Sequence, residues 1–202
     1  IVDTEDGPRA RVVLVAARRE LVERVLDAVR AAGLRPEGVD LSAFALVRSL
    51  TDGADEHVAY LAVGGAVNLV VAHGTVCHFT RVVAGGLEAM AAELAERGET
   101  SVEVARETIL RDGIPADSEE RSVVADGVRR IAADVRASLD FHGADVQRVV
   151  LTGPGLSVPG LAQALAGHLR MDVVPGVVPV PDDPAGGRFA VAAGLAIEER
   201  AA

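Results

Sequence analysis

The stretch from Val58 to Val83 constrains this chain more than any other. Three apolar runs, Val58 to Val63, Val67 to Ala72 and Thr75 to Val83, are separated only by short turns at Gly64-Gly65 and His73-Gly74. Connections this short join antiparallel neighbours, because a parallel return needs a crossover of a dozen or more residues. The spacing therefore predicts a three-strand meander, and every other element has to be arranged around it.

The segments on either side carry helical periodicity. Leu21, Val22, Val25, Leu26 and Val29 recur at helical spacing, and Gly33 stands where a helix ends in left-handed backbone. A short buried strand is expected before them (Arg11 to Ala17) and a second one after them (Leu34 to Asp40). A further helix runs through Phe44, Leu46, Val47 and Leu50, and Thr51 to Asp55 reads as a linker. After the meander, Gly85-Gly86 opens a helix facing the core with Leu87, Met90, Ala91 and Leu94. Thr100 and Glu103 have the spacing of a capping box for the next helix. Asp117 to about His142 reads as one long helix with a stripe of Val124, Val128, Ile131, Val135 and Leu139.

The remainder alternates strand and helix. Gln147 to Leu151 is a strand, Thr152 to Gly155 a tight loop, and Val158 to Leu169 a helix with Ser157 as its N-cap. Val173-Val174 is a short strand, Pro175 to Gly187 a loop, and Phe189 to Glu199 an Ala-rich helix. The class is α/β, a meander feeding a mixed sheet.

Composition excludes several functions. The net charge is −10, so the chain has no electrostatic footprint for nucleic acid. All 20 cationic residues are Arg, which rules out a P-loop and Schiff-base chemistry, since both require Lys. With one Tyr, four Phe and no Trp, platforms for stacking bases or sugars are nearly absent. Cys77 is the single cysteine, so no intrachain disulfide forms and a reducing compartment is expected. The acidic opening Ile1 to Asp6 carries no leader signature, and no uncharged apolar run reaches the roughly 18 residues of a membrane helix. Without an initiator Met, the chain reads as the remainder of a longer polypeptide.

Two glycine loops are the candidate phosphate cradles. Gly64-Gly65 lies between strands, and Gly153-Pro154-Gly155 lies between a strand and a helix. Taken alone, the second reads first as an ordinary tight turn. A dinucleotide fingerprint would need a third Gly at 158, where Val158 stands, and Asp172 begins its strand rather than ending it. Gly155 to Gly160 has one residue too many for a nucleophile elbow around Ser157. His73, Cys77 and His78 match no standard zinc spacing, so the sequence assigns no metal ligand and no catalytic residue. Glu119, Glu120 and Asp126 read as a solvated helix face.

The order of these pieces is specific in combination. It runs from Ala62-Val63-Gly64-Gly65, through Phe79-Thr80-Arg81 with Gly85-Gly86 and Asp134 to Phe141, on to Val149 to Gly155 with Val158 to Leu161, and ends at Phe189 to Leu195. It resembles the type IV pilus assembly protein PilM, of the actin-like ATPase superfamily and related to FtsA. Val12 to Leu50 resembles PilM as well. The resemblance implies an actin-like ATPase (ribonuclease H-like) fold with a partial first lobe, residues 1–50, and a complete second lobe, residues 51–202, carrying a helical insertion at about 100–146.

By the same resemblance, the nucleotide-binding candidates are Gly64, Gly65, Asp134, Gly153 and Gly155, with ATP and Mg²⁺ as cofactor. Ala62 stands where the family's second phosphate loop has Asp, and the hairpin of the first phosphate loop is missing. Hydrolysis therefore lacks its metal-organising carboxylate, and nucleotide binding is expected to be weak or lost. Gly194 matches a family glycine at a close helix contact. The implied role is a cytoplasmic scaffold, peripheral to the inner membrane, bound through its first lobe to the cytoplasmic tail of a PilN-like protein. It would insert no segment into the membrane, and self-association is a further implication. The alternatives are an active ATP-dependent switch of the same family and a Rossmann-type oxidoreductase.

Overall fold

The computed structural model describes residues 2–4, 7–9, 14–114, 122–143, 145–180 and 187–197, and the chain separates into two units between Asp40 and Leu41. In the first unit, β1 (Val2–Thr4) pairs antiparallel with β2 (Gly7–Arg9), a hairpin too short to leave a periodic signal in the sequence. Helix α1 (Arg19–Ala31) is strongly amphipathic but buries none of its residues, and Leu21 and Val25 stay exposed.

Neither strand expected in this unit forms among the described residues. Leu14 to Ala17 is unpaired, and 11–13 lie outside the described residues. Leu34 to Asp40 is also irregular, with Leu34 64% and Val39 68% exposed. Pro36 and Gly38 interrupt its alternation, and among the described residues no strand lies beside it to form a ladder.

The second unit is built on the meander. Helix α2 (Ser42–Leu50) precedes β3 (His57–Val63), β4 (Val67–His73) and β5 (Val76–Val83), which pair antiparallel in sequence. Then come α3 (Leu87–Gly98), α4 (Val102–Asp112), α5 (Val123–His142), β6 (Val146–Thr152), α6 (Leu161–Leu169), β7 (Asp172–Pro175) and α7 (Ala190–Leu195). Strand β6 adds parallel to β3, and β7 parallel to β6, so the sheet order is β5-β4-β3-β6-β7. Strand β4 runs opposite to the other four in the middle of a meander, which is not the doubly wound parallel sheet that the oxidoreductase alternative needs.

Burial on both faces explains why β3 is apolar at nearly every position. Ala59, Leu61 and Val63 pack with Leu69 and Val71 against α3 to α6, through Met90, Ile109, Val128, Ile131 and Leu165. Val58, Tyr60 and Val70 point the other way, onto Leu46 and Val47 of α2 and Ala190 of α7. Helix α2 thus belongs to the unit that starts at Leu41, ten residues before the Thr51 linker.

Helix starts are displaced slightly from the sequence reading. Ser101, not Thr100, caps α4, with its Oγ accepting from Val104 N at 3.3 Å, so the Thr100/Glu103 box does not form. Gly160, in left-handed backbone, precedes α6, and Ser157 instead closes a 3₁₀ turn over Pro154–Ser157. Ser122 caps α5, accepting from Ala125 N at 3.0 Å, while 117–121, including Glu119 and Glu120, lie outside the described residues. Asp126 pairs with Arg129 one turn on, at the helix surface. Helix α7 is followed to Leu195, and Glu199 lies outside the described residues. Because Ser122 satisfies a first-turn donor of a 20-residue helix, Ser122→Ala should cost about 1 kcal/mol. Thermal unfolding should show a midpoint lower by roughly 2–4 °C. Among the described residues no helix is long and apolar enough to cross a membrane.

Candidate functional site

At the end of β3, where β4 turns back beside the end of β6, the chain leaves a shallow hollow of about 210 Å³. Its floor is Ala62 and Asn68, its walls are the loops at Gly64-Gly65 and Gly153-Pro154, and its far side is Gly187 with Arg188. The volume is below the roughly 300–1,000 Å³ of a complete small-molecule pocket. It is an open hollow rather than a closed site.

The structure brings together three of the five candidate residues. Gly64, Gly65 and Gly153 line the hollow. Gly155 is buried behind it, where an added Cβ would lie 2.6 Å from Cβ of Val63; its glycine serves the packing of the 3₁₀ turn on β3. Asp134 lies on α5 and is not among the lining residues; its carbonyl accepts from the buried hydroxyl of Ser138, which in turn takes a hydrogen bond from Arg81.

The amides of these loops are partly committed. Gly64 N–H donates to the carbonyl of Ala66 at 3.0 Å, and Gly153 N–H donates to the carbonyl of Gly187 at 3.1 Å. Pro154 has no N–H. Gly64 and Gly153 therefore contribute room for a close approach more than they contribute donors. The Gly153 segment is further tied to Gly187, because the fully buried Thr152 donates its hydroxyl to the same Gly187 carbonyl at 2.9 Å. Sequence reasoning missed Asn68, Thr152, Gly187 and Arg188. Only the glycine before Arg188, at the end of the proline-rich loop, could have marked the last two.

Electrostatics at the mouth are modest. Among the described lining residues Arg188 is the one charged group, and its guanidinium lies over the Phe189 ring at 4.9 Å. Glu88 stands beside Gly65 but forms a bidentate pair with Arg106, at 2.7 Å for both contacts, which holds its carboxyl below the usual carboxylate range. No described lining residue is a carboxylate, and Ala62, at the position of the expected acid, is 9% exposed. The described residues thus fit a phosphate in part and do not fit the magnesium ion that would accompany it.

The profile of the type IV pilus assembly protein PilM family matches residues 2–178. The chain belongs to the PilM family. Among solved structures, it is similar to a PilM–PilN type IV pilus biogenesis complex, with a TM-score of 0.74 and 25% identity over 89% of this chain and 57% of that one. It is also similar in fold to the ethanolamine utilization protein EutJ from Carboxydothermus hydrogenoformans (TM-score 0.66, 17% identity, 88% and 61% covered). The ADP-bound MreB5 of Spiroplasma citri shares the fold as well (TM-score 0.64, 9% identity, 89% and 64% covered). These neighbours show the actin-like ATPase fold, and this PilM-family chain spans little more than half the length of the PilM chain it matches. A comparison with curated protein sequences finds no match.

Proposed function

We propose that this PilM-family chain is a cytoplasmic scaffold of a type IV pilus assembly complex, holding a PilN-like inner-membrane partner, with ATP binding weak or lost and no turnover. The observation that carries this reading is the hollow itself. Two of its glycine amides are spent inside the chain, and its described lining offers no carboxylate to a metal ion. Phosphoryl transfer depends on positioning and on metal neutralisation of charge, and this hollow supplies little of either. In the same reading, residues 41–202 contain the second lobe and α1 belongs to the remainder of the first. The exposed Leu21 and Val25 on α1 are the kind of apolar face a partner peptide covers.

Calorimetric titration of Mg-ATP, and separately of a PilN-like cytoplasmic peptide, tests the proposal. Peptide binding with ATP affinity weaker than micromolar, roughly −8 kcal/mol, supports it. Tight ATP binding with measurable phosphate release would replace it with the active switch. Ala62→Asp puts a carboxylate on the floor of the hollow and should raise Mg²⁺-dependent ATP affinity about tenfold, or 1.4 kcal/mol. If affinity is the same with and without Mg²⁺ in that variant, Ala62 is not the metal position.

A further inference from the structure

A second hollow, of about 420 Å³, opens where β6 begins, at the other end of the strand from Thr152 and the glycine loops. Strand rise puts about 20 Å between the two ends. The volume falls within the roughly 300–1,000 Å³ of a complete pocket. Two helices end beside it. Helix α5 closes with Gly143 in left-handed backbone (φ 71°), and α6 closes with Arg170 in the same region (φ 54°). Gly143 and Leu169 both line the hollow, so the carbonyl ends of both helices border it, each with a partial negative charge.

The lining divides by chemistry. Leu139 and Leu169 are buried, Val146 and Met171 are half-buried, and together they give the hollow an apolar floor. Asp140 and Asp145 are exposed, and among the described residues neither carboxylate has an ion-pair or hydrogen-bond partner. Arg136 is the one cation among the described lining residues, and it is already used: its guanidinium donates to the carbonyls of His168 and Leu169 at the end of α6. It answers one helix end and leaves the two carboxylates without a cation. The hollow is therefore apolar at its buried residues and negative at its exposed ones.

An arginine side chain has the complementary chemistry. Its alkyl stem packs on apolar surface while the head stays charged, and its planar donor fork matches carboxylates and carbonyls. Arg136 already shows such a head seated on the end of α6. Phe141, next to Asp140 in the chain and 87% exposed, offers a ring to an apolar neighbour of that arginine. We propose that this hollow docks an extended segment of a partner protein in which an arginine is flanked by apolar residues. The guanidinium meets Asp140 and Asp145, and the stem lies on Leu139, Leu169 and Met171. None of these residues belongs to the glycine-loop hollow or to α1, so the site stands independently of ATP and of the PilN-like peptide.

The test is a titration of the isotope-labelled full chain with the tripeptide acetyl-Leu-Arg-Leu-amide, followed by amide chemical shifts. Saturable shifts should centre on Asp140, Gly143, Asp145 and Met171, with a dissociation constant of about 0.1–1 mM. The analogue with citrulline keeps the shape and loses the charge, and it should bind about tenfold more weakly. Asp140→Asn and Asp145→Asn, both at exposed positions that the fold does not depend on, should each weaken binding about 3- to 5-fold. Glu103→Gln removes an equally exposed acid on α4 and should leave binding unchanged. Shifts centred elsewhere, equal binding of the citrulline peptide, or no shifts up to about 10 mM peptide overturn the proposal. Spermidine saturating the same amides at the same affinity assigns the hollow to a free polyamine, and that result overturns it as well.

Discussion

Gly194→Ala should lower the melting midpoint by roughly 6–12 °C, corresponding to at least about 3 kcal/mol. Gly194 lies in α7 where that helix crosses α2, and an added Cβ would overlap the carbonyl of Ala45 and come within 2.8 Å of its Cα. The obstruction is backbone, so no rotamer change relieves it, and the helices must separate. Separation also strains the hydrogen bond from Arg48 Nε to the Gly194 carbonyl, 3.0 Å, and opens the core over Leu46 and Ala190. The control is Gly167→Ala in α6, where an added Cβ meets nothing within 4 Å. That substitution should stabilise by about 0.4–1 kcal/mol through the unfolded chain and helix propensity. Equal effects from the two variants in thermal unfolding would mean that α2 and α7 do not approach as closely as described.

Gly86→Ala should reshape the candidate site and cost about 1–3 kcal/mol. Its backbone is compatible with any residue (φ −64°, ψ −172°), yet an added Cβ would collide with the Gly64 carbonyl and come 2.5 Å from that of Gly65. Gly86 therefore lets the start of α3 lie directly on the glycine loop, held by Leu87 N–H donating to Gly64 O at 2.7 Å. Amide exchange distinguishes a local from a global effect. Leu87 N–H should exchange markedly faster in the variant while the β3 amides stay protected. Unchanged exchange at Leu87 would show that the loop is supported without this contact.

The sequence alone determined the local architecture of the second unit. Short glycine turns force antiparallel return, so the meander followed from the spacing of Val58 to Val83, and helical periodicity located α2, α3, α5 and α6. Its combination of motifs carried the PilM resemblance, which the match over residues 2–178 supports. Gly194 was legible as a packing glycine, and the contact with Ala45 is the physical reason.

The tertiary structure decided everything that depends on which surfaces meet. A strand exists only if a neighbour accepts its hydrogen bonds, so the alternation at Leu34 to Asp40 could not show that no ladder forms there among the described residues. A glycine reads the same in sequence whether it opens a pocket, as Gly153 does, or admits a packed turn, as Gly155 does. Cap position turned on a one-residue shift, from Thr100 to Ser101, because both hydroxyls have the right chemistry and only the helix axis selects between them. His57 stands 16 residues before His73 in the chain and directly opposite it in the sheet. Residue type and local spacing are written in the sequence, while pairing register and the approach of one backbone to another arise only when the whole chain packs.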